Sequence, residues 1–225
     1  MRRGGEFSIM SGANELMNSR LGGSEKALAS LALRRLTGRP EPRVLIGGLG
    51  MGFTLRAALA ELGAGGKVVV AELVPAVIEW AHGPMGEIFE GSLADSRVTL
   101  HQGDVAEVIE ATPGGHDAIL LDVDNGPGGV GRAANDGLYS MDGLRAARRA
   151  LRPGGVLAVW SAGPNADFVR RLGKAGYRVE EAPVRATGTA RGARHVIWLA
   201  TPTGAEGAAA KPATARGSSA RYSRR

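Results

Sequence analysis

The segment Val44-Leu-Ile-Gly-Gly-Leu-Gly-Met-Gly-Phe-Thr54 constrains the fold of this chain more than any other. An apolar run ends in glycines, and a helix-forming stretch follows at once. Gly48, Gly50 and Gly52 set the pattern G-x-G-x-G. Glycine suits such a turn because it accepts positive φ and lets a ligand lie against bare backbone. Amides at the start of the next helix favour an anionic or polar group on that ligand. A glycine-rich packing turn is the competing reading in a chain with 35 glycines. The placement between a strand and a helix favours a nucleotide or nucleoside.

The rest of the chain repeats that alternation. Short runs rich in Val, Ile and Leu at 43–46, 67–71, 98–101, 118–121 and 155–160 predict strands. Helical patterns at 54–62, 76–81, 105–111 and 142–151 separate them. Strands alternating with helices predict a parallel sheet covered on both faces. The first four runs show little polar alternation, as strands buried on both sides should. Near the end, 168–174 predicts a helix, and 177–183 and 195–201 predict two strands joined by a turn at 188–194. The expected fold is an α/β, Rossmann-like, doubly wound sheet of about seven strands, mostly parallel, with a C-terminal antiparallel hairpin. Ahead of the sheet, 24–36 predicts a helix with Ser24 as N-cap. Residues 6–19 are too few for a domain and read as a hairpin or lid.

With 44% hydrophobic residues, the 225-residue chain can bury a substantial core. It has no cysteine, which excludes disulfides, thiolate metal sites and a thiol nucleophile. No apolar run has the roughly 18 residues of a membrane span. The start, Met-Arg-Arg-Gly-Gly-Glu, lacks the apolar core of a signal peptide, so a cytoplasmic location is expected. The net charge of +6 suggests nucleic acid at first sight. Residues 204–225 hold five basic residues and one acid, and Arg2 and Arg3 add two charges. Segment 4–203 is left with 21 basic and 21 acidic residues. The surplus therefore belongs to the ends, and nucleic acid is not expected as a partner. The organisation expected is an extension or lid at 1–23, a nucleoside-binding domain at 24–203, and a disordered basic tail at 204–225, where Ala, Gly, Ser and Thr cannot offset the entropy of ordering.

Three acids follow strands. Glu72 ends the second, twenty residues after Gly52, where a carboxylate can accept both ribose hydroxyls. NAD enzymes and S-adenosylmethionine enzymes share this device. Asp104, after Gly103 and the third strand, is placed to accept from an adenine amino group, which favours the sulfonium nucleoside. Asp122 ends the fourth strand, next to the donor position, with Asp124 and Asn125 in the loop behind it. A carboxylate there can orient or deprotonate an amine. The competing readings are a strand-end Glu for Glu72 and Asx turn chemistry for the Asp-Asn-Gly-Pro run.

Together these residues resemble the spermidine synthase-like branch of the class I S-adenosylmethionine-dependent transferases. The resemblance runs from about 43 to 162. It covers the glycine turn, Glu72 with Leu-Val-Pro-Ala-Val-Ile-Glu, Gly103-Asp104, Asp117-Ala-Ile-Leu-Leu-Asp122, Leu138-Tyr-Ser140 and Leu151-Arg-Pro-Gly-Gly-Val156. It implies that Gly48, Gly50, Gly52, Glu72, Leu73, Asp104 and Val105 bind S-adenosylmethionine or its decarboxylated form. It implies Asp122 as the catalytic carboxylate, and Asp124, Asn125 and Tyr139 beside the acceptor. The sequence also departs from the family. Its glycine turn has no acid, Asn125 stands where a second Asp is usual, and only about 43 residues precede the first strand. Glu25 falls where the family has a Glu, and Glu15, Glu25, Asp122, Asp124 and Asp136 are the acids available to a polycation.

The reaction implied is aminopropyl transfer to an amine such as putrescine. Methyl transfer to a small molecule is the alternative, because a turn without an acid leaves room for the methionine carboxylate. A non-catalytic nucleoside-binding homologue and a dehydrogenase are the further readings. No metal is expected, since His82, His101, His116 and His195 have no ligand-type spacing. No G-x-S-x-G supports hydrolase chemistry. Trp80, Trp160 and Trp198 read as core residues, with Trp160 nearest the pocket edge. The partner is a small-molecule amine or other nucleophile, no membrane is involved, and a homodimer is left open.

Overall fold

Each run with strand character enters one sheet. The computed structural model describes residues 1–123, 126–127, 137–187 and 192–204. A small antiparallel sheet comes first, with strands β1 (Arg2–Arg3), β2 (Glu6–Ser11) and β3 (Asn14–Asn18). Helix α1 (Gly23–Leu33) leads to β4 (Arg43–Gly47), α2 (Phe53–Glu61), β5 (Lys67–Glu72) and α3 (Pro75–His82). Then come β6 (Val98–Gln102), α4 (Val105–Ala111), β7 (His116–Leu121), α5 (Met141–Ala150), β8 (Leu151–Ser161), α6 (Ala166–Lys174), β9 (Tyr177–Arg185) and β10 (Arg194–Pro202).

The large sheet has the order β6-β5-β4-β7-β8-β10-β9. Its first five strands are parallel, and β10 runs antiparallel to both β8 and β9. This is the seven-stranded, mostly parallel sheet with a terminal hairpin that the alternation predicts. The order reverses between β4 and β7, and such a switch point opens a crevice at the carboxyl ends of the strands. Both faces are covered. Leu28, Ile46, Leu55, Val70, Phe89 and Ile197 fill one side, and Leu45, Ile119, Leu144, Phe168 and Trp198 fill the other.

Three local expectations change. Strand β6 is half exposed, because it is the sheet's edge. Helix α1 is capped by Gly22 without a side-chain bond, and Ser24 lies inside it, its hydroxyl engaged elsewhere. The last turn predicted for that helix is a separate 3-10 turn, Arg34–Leu36. Residues 6–18 form a hairpin, as expected. Most of the turn expected at 188–194, and the tail from 205 on, lie outside the described residues. No described helix is long and apolar enough to cross a membrane.

Candidate active site

The glycine turn leaves the carboxyl end of β4 with three left-handed residues. Gly48, Gly50 and Gly52 have φ of 94°, 49° and 74°. A side chain at Gly48 would collide with the Asp122 carbonyl, so this glycine lets β4 and the end of β7 close on each other. A Cβ at Gly50 would sit 2.8 Å from the Met17 methyl, which brings β3 of the small sheet over the turn. A Cβ at Gly52 would meet the Phe89 ring at 2.6 Å. The amides of Gly50 and Met51 have no hydrogen-bond partner among the described residues.

Glu72 is buried and fastens the turn from the side. Its Oε2 accepts from the Leu49 amide at 2.9 Å, and its Oε1 accepts from the Val74 amide at 2.8 Å. Each oxygen keeps a further lone pair for a ligand. Leu73 follows with its apolar side chain 41% exposed. Asp104 caps α4, its Oδ1 accepting from the Ala106 amide at 2.8 Å and its Oδ2 uncommitted among the described residues. The Val105 side chain packs against Gly47. The three strand ends therefore bring Gly48–Gly52, Glu72–Leu73 and Asp104–Val105 to one edge of the sheet, as parallel neighbours β4, β5 and β6 must.

Asp122 follows β7 at the same edge, its amide bonded to the Gly47 carbonyl at 2.9 Å. Burial, then the charge of Glu25, push its carboxyl up to about 7, against the opposing Thr54 hydrogen bond. The Thr54 hydroxyl donates to Asp122 Oδ2 at 2.6 Å and lies 3.3 Å from the Glu25 carbonyl oxygen. The Glu25 carboxyl is also raised, chiefly by burial. Ser24 is completely buried beside it. Ser24 Oγ donates to Glu25 Oε2 at 2.7 Å and lies 2.9 Å from His195 Nδ1. With Glu25 ionised, His195 must then donate its Nδ1 proton to Ser24, since the hydroxyl has only one. The His195 ring packs edge-on against Trp160, whose buried indole N–H has no partner among the described residues.

Two half-buried carboxyls thus lie beside the glycine turn, near enough for the charge of Glu25 to act on Asp122, and burial makes each hold a proton more tightly than in water. Of the acids available for a polycation, Glu25 and Asp122 come together. Glu15 is exposed on β3 and bonded to Ser8 and Asn18. Asp124, Asn125 and Asp136 lie outside the described residues. Tyr139 is buried, its ring edge-on to Phe168 and its hydroxyl 3.5 Å from the Val123 carbonyl. The contacts of Thr54 with Asp122 and of Ser24 with His195 carry no signal in the sequence, because the partners are distant in the chain.

No family model matches this chain. It is 38% identical over 93 residues to a polyamine aminopropyltransferase of Nitrosomonas europaea, covering 41% of this chain and 27% of that protein. It is 32% identical over 130 residues to a polyamine aminopropyltransferase of Korarchaeum cryptofilum, covering 58% and 38%. The match therefore spans well under half the length of these curated relatives. The fold superposes on spermidine synthase from Thermotoga maritima with a TM-score of 0.68, at 22% identity, over 83% of this chain and 62% of that one. In fold and in central sequence, the chain is similar to the spermidine synthase-like branch of the class I S-adenosylmethionine-dependent transferases.

Proposed function

We propose that this chain transfers an aminopropyl group from decarboxylated S-adenosylmethionine to an amine such as putrescine. The observation that carries this is the Asp122–Glu25 pair, two half-buried carboxyls at the end of β7 and the start of α1, beside the glycine turn. A cationic amine is what such a pair attracts, and its arrival relieves their mutual repulsion.

The donor residues fit a nucleoside. The free amides of Gly50 and Met51 face a polar group, Glu72 has lone pairs for ribose hydroxyls, Asp104 Oδ2 can accept from an adenine amine, and Leu73 and Val105 offer apolar contact. The donor supplies an electrophilic carbon beside a sulfonium, from which a neutral thioether departs. Asp122 orients the attacking amine and takes its proton, as a carboxyl with a pKa of about 7 can do near neutral pH. Glu25 holds the positive end of the acceptor, and Thr54 fixes the Asp122 rotamer. The hairpin of β2 and β3 covers the turn through Met17 and acts as a lid. Positioning of two reactants in a water-poor crevice supplies much of the acceleration.

Methyl transfer is the second reading, and the turn itself favours it: Met51 is buried there and the turn carries no acid of its own. The deciding experiment titrates the protein calorimetrically with S-adenosylmethionine and with its decarboxylated form, then incubates it with the latter and a diamine panel. Tighter binding of the decarboxylated donor, with formation of an aminopropylated amine, supports the proposal. Preference for the carboxylated donor overturns it.

A further inference from the structure

Formal neutrality of segment 4–203 conceals an uneven placement of charge. At the amino edge of the large sheet, opposite the glycine turn, lies a cleft of about 820 Å³. Arg145, Arg148 and Arg149 of α5, Arg152 of β8 and Lys174 of α6 line it, and residues 202–204 at the end of β10 close it. Among the described residues, no acidic and no aromatic side chain contributes to the lining.

Cations at helix carboxyl ends are ordinary, since the helix dipole favours them. The partners here divide the five. Arg148 donates to the Thr203 carbonyl at 2.8 Å, and Arg152 to Asp117 Oδ2 at 3.1 Å, so both build the walls. Arg145 meets only the exposed Asp142, at 3.5 Å, among the described residues. The side chains of Arg149 and Lys174 have no hydrogen bond or ion pair among the described residues. Arg145 also stands three and four residues from Arg148 and Arg149 on α5, a like-charge spacing that destabilises a helix. An anion in the cleft relieves that repulsion.

We propose that this cleft binds a single-stranded nucleic acid through its phosphates. One phosphate would leave most of the volume empty. A concave site takes a flexible strand rather than the convex face of a duplex. Without an aromatic ring for stacking, binding reads the backbone and tolerates any sequence.

Fluorescence anisotropy of a labelled oligouridine of about 12 nucleotides, with the full chain at several salt concentrations, tests this. Charge reversal at Arg149→Glu and Lys174→Glu together should weaken binding at least tenfold and lower the salt slope by about 0.7 for each phosphate that is no longer neutralised. Reversal at exposed Arg34→Glu and Lys67→Glu makes the same change of net charge elsewhere and should weaken it far less. The milder Arg149→Ala and Lys174→Ala pair, checked by thermal melting, separates a binding defect from a folding defect. Equal weakening in the cleft and remote reversals overturns the proposal. So does an absence of binding at low salt, or displacement by polyglutamate as readily as by unlabelled RNA. Donor binding, at the other edge of the sheet, should be unchanged throughout.

Discussion

Asp122 is where residue chemistry is most sharply set. An ordinary aspartate is ionised above about pH 5; this one is held protonated up to about 7 by burial and by Glu25. Between the two values the native protein keeps a proton that the unfolded chain releases. Stability therefore falls as pH rises from about 4 to about 7, then levels off. Asp122→Asn removes that cost and keeps an acceptor for Thr54. The variant should be more stable than the parent above pH 7, by on the order of 1–3 kcal/mol, with the gap closing toward pH 4. Melting temperatures at both ends of that range measure it. The same change should lower transfer by about 10²–10⁴-fold if the carboxylate takes the amine proton. Glu25→Gln gives the complementary sign: with its charge gone, Asp122 ionises more easily. The rising limb of the pH–rate profile should then move to lower pH while the acceptor KM increases. A profile left in place would separate Glu25 from Asp122. The sequence marks Asp122 by its place after an apolar strand. It gives no sign of the Thr54–Asp122 and Ser24–His195 contacts, whose partners lie 68 and 171 residues apart along the chain.

Elements are legible where one periodicity and one punctuation mark coincide. The strands of the parallel sheet, the helices between them and the final hairpin all follow from apolar runs closed by glycine or acid. What escapes is whatever neighbours decide. Strand β6 has only Val98 and Leu100 as apolar residues, and its edge position leaves it half exposed. Ser24 has the chemistry of a cap, but the strands place His195 within reach of its hydroxyl, and α1 starts one residue earlier. The glycine turn shows the two levels agreeing. Gly52 has a φ of 74°, and a methyl there would press into the Phe89 ring. Gly52→Ala therefore carries both backbone strain and a clash, and should cost about 1–3 kcal/mol in urea unfolding. Gly63→Ala, at a site with open space around it, should change stability by less than about 0.5 kcal/mol. Comparable losses at both positions would mean that the turn is looser than its geometry.

Across the whole molecule, β7 carries an aspartate near its start and another just past its end, and they are treated in opposite ways. Asp117, at the amino edge, is almost fully buried and neutralised from two sides. Arg39, in the link between α1 and β4, pairs with its Oδ1, while Arg152 of β8 and the Arg43 amide of β4 donate to Oδ2, at 3.1 and 2.7 Å. One carboxylate thus ties three adjacent strands to the segment that precedes them. Asp122, at the carboxyl edge, receives a hydroxyl and a second acid instead of a cation. The sheet is fastened by charge at one edge and, among the described residues, has carboxyls with no cation paired to them at the other, where the proposed acceptor would bring its positive charge. The motif Asp-Ala-Ile-Leu-Leu-Asp shows both acids but not this division, which depends on arginines 78 and 35 residues away from Asp117. Asp117→Ala leaves two guanidinium groups and the Arg43 amide without their partner. It should cost about 3–5 kcal/mol, in the range for breaking a buried pair. Asp117→Asn keeps one acceptor and should cost less. Wherever either variant remains folded at about 25 °C, its affinity for the donor should match that of the parent, because the glycine turn lies at the far end of the strands. Urea midpoints paired with calorimetric donor titrations read the two quantities separately. A donor affinity that falls in step with stability would mean that the two edges are not independent.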